Sequence, residues 1–155
     1  MKVKEVMKKD VTHISPDMNA QEALKLLQKI DISGLPVIDD NHKLVGMFTE
    51  KEALSAILPS YIEKVGLFIY QDNPKAVKQK IANFRNIQVK KIMRNQVVAV
   101  DEDTNLYEVA RIMLTQKIRR IPILNKEKLV VGIVARGDIT KAVFEEEERT
   151  GSQIP

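Results

Sequence analysis

The chain is written twice. Shifted by 86 residues against itself, the stretch from Val3 to Glu52 lies over Val89 to Asp138 without a gap. Identical pairs recur along the whole overlap: Val3/Val89, Lys4/Lys90, Met7/Met93, Val11/Val97, Asp17/Asp103, Asn19/Asn105, Glu22/Glu108, Ile32/Ile118, Pro36/Pro122, Val45/Val131 and Gly46/Gly132. Most other positions keep their polarity, as at Val6/Ile92, Leu27/Met113 and Met47/Ile133. Two long copies separated by a spacer point to a pseudo-twofold pair, because a solenoid needs three or more shorter units. A length of 155 residues holds two such units with an adequate core and no covalent staples.

Each copy parses in the same order. Val11–Ile14 and Val97–Val100 read as short strands, followed by turns at Ser15-Pro16-Asp17 and Asp101-Glu102-Asp103. Asn19 and Asn105 stand three residues before Glu22 and Glu108, the spacing of a capped helix start. Ala20, Ala23, Leu24, Leu27 and Ile30 then recur at helical spacing, as do Leu106, Val109, Ala110 and Met113. Leu35–Ile38 and Ile121–Leu124 are strands entered through proline. Polar turns follow, then third strands at Leu44–Phe48 and Leu129–Val134. Second helices run from Glu50 to about Leu58 and from Arg136 to about Glu147. Each third strand is too short to span a bilayer and suits a buried strand whose glycine admits close backbone approach. Where it feeds a helix, free N–H groups and a positive dipole end can hold phosphate or ribose hydroxyls.

Composition narrows the function classes. Charged residues at 30% and hydrophobic residues at 44% describe a globular chain. The absence of cysteine excludes disulfides, thiolate metal sites and cysteine nucleophiles, and fits a reducing compartment. The opening MKVKEVMKKD lacks the apolar region of a secretory signal, so the expected location is cytoplasmic, with no membrane partner. His13 and His42 form no cluster, so no metal site is expected. Gly-x-x-x-x-Gly-Lys and Gly-x-Ser-x-Gly are both absent, and no catalytic pair of acids stands out, which argues against an enzyme. A net charge of +4 and the clusters Lys90-Lys91-Arg94 and Lys117-Arg119-Arg120 leave nucleic-acid binding as an alternative. Aromatic residues at 5% offer no stacking platform for it.

The order of elements, with ISGLPVID…LVGMFTEKEAL in one copy and IRRIPIL…VVGIVARGDIT in the other, resembles the cystathionine β-synthase (CBS) domain. Two in tandem resemble a Bateman module. The resemblance covers about residues 3–58 and 89–145. It implies an α+β fold of two β-α-β-β-α units packed as a pseudo-twofold disc with two clefts. Clefts of this family take AMP, ADP, ATP, S-adenosylmethionine or other nucleotides, and the family senses more often than it catalyses. The implied division is 1–58 for the first unit, 59–88 for a helical spacer, 89–147 for the second unit and 148–155 for a frayed tail. The implied partners are a nucleotide, a second copy of the chain and an effector protein that the sequence does not name. Helix faces bearing Ala23, Leu27, Met113 and the segment after Glu50 are the expected dimer surface.

The family pattern after the third strand is glycine, two apolar residues, Thr or Ser, two variable residues, then Asp, with hydroxyl and carboxylate on ribose or phosphate. Gly46–Glu52 keeps Thr49 but places Glu52 for the aspartate. Gly132–Asp138 keeps Asp138 but has Ala135 for the hydroxyl. A ligand-free reading remains open for both: Thr49 and Glu52 also spell a capping box, and Asp138 also suits a helix's first turn. Ser33, Gly34, Leu35 and Pro36 stand where the family touches adenine through the backbone. The corresponding Arg119, Arg120, Ile121 and Pro122 match the basic position that nucleotide-sensing members, such as the γ subunit of AMP-activated kinase, use on phosphates. Arginine's fork suits that role, although with Lys117 these cations also fit a solvated helix end. Thr12, His13, Val98 and Ala99 would line the clefts beside the base. In the spacer, Tyr61–Tyr70 is apolar, and a helix starting near Pro74 is expected to run through Phe84, as packing on its own unit or as a partner surface.

Overall fold

The structure, a computed structural model, describes residues 1–58 and 74–151. The apolar stretch Tyr61–Tyr70 lies outside the described residues. In the first repeat, α1 (Ala20–Ile30) begins because the Asn19 side chain accepts the N–H groups of Gln21 and Glu22 at 2.9 and 3.4 Å. It ends at Asp31, which turns left-handed with φ 56°. β1 (Gly34–Ile38) and β2 (Leu44–Thr49) pair antiparallel through a turn in which Asp39 accepts the N–H groups of Asn41 and Lys43. β2 runs directly into α2 (Glu50–Ile57). Then α3 (Pro74–Phe84) packs on α2 and buries Phe84 in the same core as Leu27, Val37 and Phe48. That agrees with the helix expected after Pro74.

The second repeat gives β3 (Val100–Asp101), α4 (Leu106–Thr115), β4 (Arg120–Leu124), β5 (Val130–Ala135) and α5 (Arg136–Arg149). Its sheet runs β3-β4-β5, parallel and then antiparallel. The 86-residue offset holds at single residues. Left-handed Asp31 and His42 answer Lys117 and Lys128, and the register shift at Val37/Ile38 answers that at Ile123/Leu124.

Two expectations change. The strand Val11–Ile14 shrinks to one parallel bridge between Ile14 and Val37, and Val97–Val100 keeps only Val100, which β3 shares with Asp101 from the expected turn. Proline is the cause. Ile14 donates to the Pro36 carbonyl and accepts from Ile38, both at 2.9 Å. Extending the parallel ladder back to Thr12 needs an N–H from Pro36, which has none, and Pro122 stops the equivalent ladder at Val98. The second change is at the end of the chain. Glu148 and Arg149, expected in a frayed tail, close α5, with Gly151 at φ +63° behind them.

Contacts divide the chain into two compact units: Thr12–Val97, and Met1–Val11 together with Val98–Pro155. Packing thus groups each repeat's leading segment apart from the rest of that repeat. Each repeat's leading segment docks on the body of the other repeat. Val3 is fully buried beside Val100, Leu106 and Val109, and its N–H reaches the Thr104 carbonyl at 2.8 Å. Val89 is fully buried beside Ile14, Ala20 and Phe84, with its N–H on the Met18 carbonyl at 2.8 Å. Lys8 forms an antiparallel bridge with Ile133, and Arg94 forms one with Met47. Gly132 and Gly46 are the glycines at these crossings. A Cβ at Gly46 would stand 2.6 Å from the Met93 sulfur and 2.8 Å from the Arg94 carbonyl, and one at Gly132 would run into Met7. Each glycine is thus needed for close backbone approach.

Candidate ligand site at the strand to helix turns

Every residue singled out from the first repeat lies in one unit, and every residue singled out from the second lies in the other. In the unit Thr12–Val97, β2 delivers Thr49 to the start of α2. The Thr49 hydroxyl accepts the Lys51 N–H at 3.2 Å and donates to both Glu52 oxygens at 2.9 and 3.0 Å. The Ser33 carbonyl accepts the Glu50 N–H at 2.9 Å, so Ser33, Thr49 and Glu52 meet at one turn. Gly34 lies opposite Thr49 in the ladder. Leu35 and Pro36 are buried in β1, with the Leu35 side chain in the core, which leaves only backbone for a ligand. Thr12 and His13 are exposed just before the bridge at Ile14.

In the other unit, β5 delivers Ala135 to the start of α5. With no hydroxyl at Ala135, Asp138 closes the turn from the far side by accepting the Ala135 N–H at 2.8 Å. The Arg119 carbonyl accepts the Arg136 N–H at 3.2 Å, the counterpart of Ser33 and Glu50. The Arg136 side chain donates to the Ile118 carbonyl at 3.1 Å. Arg119 is exposed, Arg120 is half-buried at the head of β4, and Ile121 and Pro122 are buried. Val98 and Ala99 are half-buried ahead of β3.

The two turns differ by one coupled exchange of volume. A Cβ on Gly34 would stand 2.5 Å from the Thr49 methyl and 3.0 Å from its Cβ. Arg120 occupies the Gly34 position, and its ladder partner is Ala135, which carries no Cγ. Glycine across the ladder thus leaves room for the Thr49 methyl, and alanine across the ladder leaves room for Arg120.

Sequence reasoning missed one group at each turn because it arrives from the other repeat. Lys8 lies 3.8 Å from the second Asp138 oxygen and is 71% exposed. Arg94 occupies the equivalent place in the other unit. The signal that could have found them is the identity of Met7/Met93 and Gly46/Gly132, which form the crossings themselves. Nearby, Lys4 and Lys2 lie 2.8 and 3.4 Å from Asp103, and Lys90 lies 3.0 Å from Asp17. The Lys4 ammonium holds the Asp103 carboxyl below the usual aspartate range, and the same bond raises Lys4. A groove of about 610 Å³ runs between the leading segment and α5, with Lys8, Asp138, Lys141 and Arg149 among its walls. Arg119 and Arg120 do not line it. Among the described residues, no cluster of acids or histidines is placed to hold a metal ion, and no helix is long and apolar enough to cross a membrane.

The sequence pattern of the CBS domain matches twice, over residues 3–59 and 89–145. The CBS domain-containing protein CBSX1, chloroplastic, of Arabidopsis thaliana is 32% identical over 144 residues, covering 89% of this chain and 61% of that protein. The inosine-5'-monophosphate dehydrogenase of Methanocaldococcus jannaschii is 31% identical over 140 residues, covering 90% of this chain but only 23% of the enzyme. The chain thus spans less than two thirds of the length of either relative. The crystal structure of the CBS-pair protein CBSX2 from Arabidopsis thaliana superposes with a TM-score of 0.75 at 26% identity, covering 95% of this chain and 96% of that one. Its complex with AMP superposes at 0.72 and 26% identity, covering 94% and 98%. With the same order of elements in both repeats and a match over each, the chain belongs to the CBS domain family and carries two CBS domains in tandem.

Proposed function

We propose that this chain is a regulatory module that binds an adenine nucleotide, AMP, ADP or ATP, at the strand to helix turns of its CBS units. The observation that carries the reading is the AMP complex of CBSX2, a protein similar along nearly the whole chain. The turn at Ala135 and Asp138 suits the ligand better than its counterpart. One Asp138 oxygen holds the Ala135 N–H, and the other is left to a ribose diol beside Lys8. Arg119 and Arg120 add cations on the same strand to helix turn. They favour phosphate over the cationic sulfonium of S-adenosylmethionine, because charge-assisted bonds to phosphate are the stronger ones. At Thr49 the hydroxyl is already spent on Glu52 and Lys51, which supports a second reading in which that turn is a structural cap without ligand.

Partner signalling fits the exposed apolar residues of the helices. Ala23, Leu27 and Met113, expected at a dimer surface, are buried within their own units, whereas Leu54, in the expected segment after Glu50, is 55% exposed. Tyr107 and Leu114 on α4 and Phe144 on α5 are instead 57%, 72% and 67% exposed. A homodimer through those helices fits the closed symmetry of most small assemblies. Light scattering that finds only the 17.6 kDa species at micromolar concentration speaks against it.

The decisive experiment is a thermal-shift panel of AMP, ADP, ATP, adenosine and S-adenosylmethionine on protein stripped of nucleotide. At a hundredfold excess over Kd, ligand linkage adds about 2.7 kcal/mol. For a chain of this size that raises Tm on the order of 5 °C. A flat response to every adenosyl compound refutes the reading.

A further inference from the structure

We infer that Lys8 and Arg94, each carried by the leading segment of one repeat, are phosphate-binding residues of the turn in the other repeat's unit. This rests on the nucleotide reading above and adds residues outside both repeated turn motifs. Lys8 donates to the Ile133 carbonyl at 2.9 Å and accepts the Ile133 N–H at 3.0 Å. Arg94 and Met47 exchange the same two bonds at 2.8 and 2.9 Å. Ile133 and Met47 each follow the third-strand glycine, two residues before Ala135 and Thr49. A bridged residue cannot drift along its partner strand, so each cation is anchored where strand gives way to helix.

The side chains complete the case. Lys8 lies 3.8 Å from Asp138, beyond a hydrogen bond, and is 71% exposed, so a ligand can take its ammonium without breaking a tight contact. Asp138 itself is only 19% exposed and is fixed by the Ala135 N–H. A ribose diol on the free Asp138 oxygen brings its 5′ phosphate within reach of the flexible lysine stem. Arg94 is exposed and forms no ion pair among the described residues. Its planar fork can meet a phosphate with two bonds, where lysine acts as a point charge. Glu5, Glu145 and Glu146 also line the groove at Lys8, so the cation works against neighbouring acids there.

Calorimetric titration of AMP and of adenosine into the wild type, Lys8→Gln and Arg94→Gln tests the inference, with Tm of each unliganded protein alongside. The expected result is AMP binding weakened about tenfold by Lys8→Gln at the Ala135 turn, and by a similar factor by Arg94→Gln at the Thr49 turn, at the low end of a charged hydrogen bond. Adenosine affinity and the unliganded Tm stay unchanged, because an exposed pair contributes little to folding. The AMP difference shrinks with added salt. An unchanged AMP-to-adenosine ratio in both variants overturns the inference while leaving nucleotide binding intact. Equal loss of both ligands with a lowered Tm assigns these residues to docking of the leading segment and overturns it as well. Failure of the wild type to bind either compound removes the nucleotide reading itself, and the inference with it.

Discussion

The clearest test of the packing at the two turns is Gly34→Ala, alone and with Thr49→Ala. The new Cβ would stand 2.5 Å from the Thr49 methyl. Ordinary carbon contacts lie near ~3.5–4.0 Å, so the overlap exceeds ~1 Å. Two responses are open to the protein. Either the strands part, at the cost of overpacking, about 1–3 kcal/mol, or Thr49 turns about its stiff χ1 and takes its hydroxyl away from Lys51 and Glu52. The second route forfeits a helix cap, roughly 1 kcal/mol, and strains the rotamer by about as much again. Gly34→Ala should therefore cost about 2 kcal/mol, a fall in Tm of roughly 4–8 °C. Thr49→Ala should cost only the cap, about 1 kcal/mol. In the double variant the overlap is gone, and alanine has less backbone entropy to lose than glycine, so the total should return to about 1 kcal/mol. Urea or thermal unfolding of the four proteins gives the coupling directly. The reverse cycle should show Ala135→Thr damaging beside Arg120 and harmless beside Arg120→Gly. Additive costs in both cycles would falsify the volume exchange.

Three further outcomes follow from the same contacts. The tie between Lys4 and Asp103 should hold the leading segment steadily from about pH 5 to 9. Asp103 is depressed, so its contribution is present above the unfolded pKa and is lost as pH falls through the folded one; Lys4 is raised, so its share is lost only as pH climbs past the lysine range. Amide exchange at Val3 that opens near neutrality contradicts this. Gly132→Ala should unseat the same segment, since its Cβ meets Met7 and stands 3.1 Å from the Lys8 carbonyl, and the cost should be about 1–3 kcal/mol. Protection of Val3 and Lys8 equal to wild type rules that out. Asn19→Ala should destabilise more than Asn105→Ala, by about 1 kcal/mol beyond the shared cap, because only Asn19 also donates to a carbonyl across its unit, that of Arg85 at 2.6 Å. Equal losses in chemical denaturation count against that extra bond.

Much of the fold is legible in the residues because each part follows a local rule. Asn19 and Asn105 cap helices, and Asp39 and Asn125 fold the polar turns back on themselves. The exchange of leading segments is not legible, and the repeat itself is the reason. Val3/Val89, Lys4/Lys90, Met7/Met93, Asp17/Asp103, Asn19/Asn105 and Gly46/Gly132 are identical between copies, and these residues form the docking seats. At these positions a leading segment would find the same residue types on its own body as on the other. These shared residues therefore do not choose between them, and the exchange is not read from them.

The site residues invert this logic, since they differ between copies where the seats agree. Taken one position at a time, Ala135 reads as a lost hydroxyl and Arg120 as a gained cation, two unrelated departures. The ladder makes them one, because Gly34 faces Thr49 and Arg120 faces Ala135. By the same geometry a threonine in place of Ala135 would crowd the side chain at Arg120, so the arginine is more easily carried where the capping hydroxyl is absent. Something else must then close the helix start, and Asp138 does so by taking the Ala135 N–H, a bond its position three residues into the turn allows. With Glu52 the carboxylate goes to the threonine hydroxyl instead. The departures at Ala135 and Arg120 are thus one paired change across two strands, and the two CBS units are differentiated at that pair.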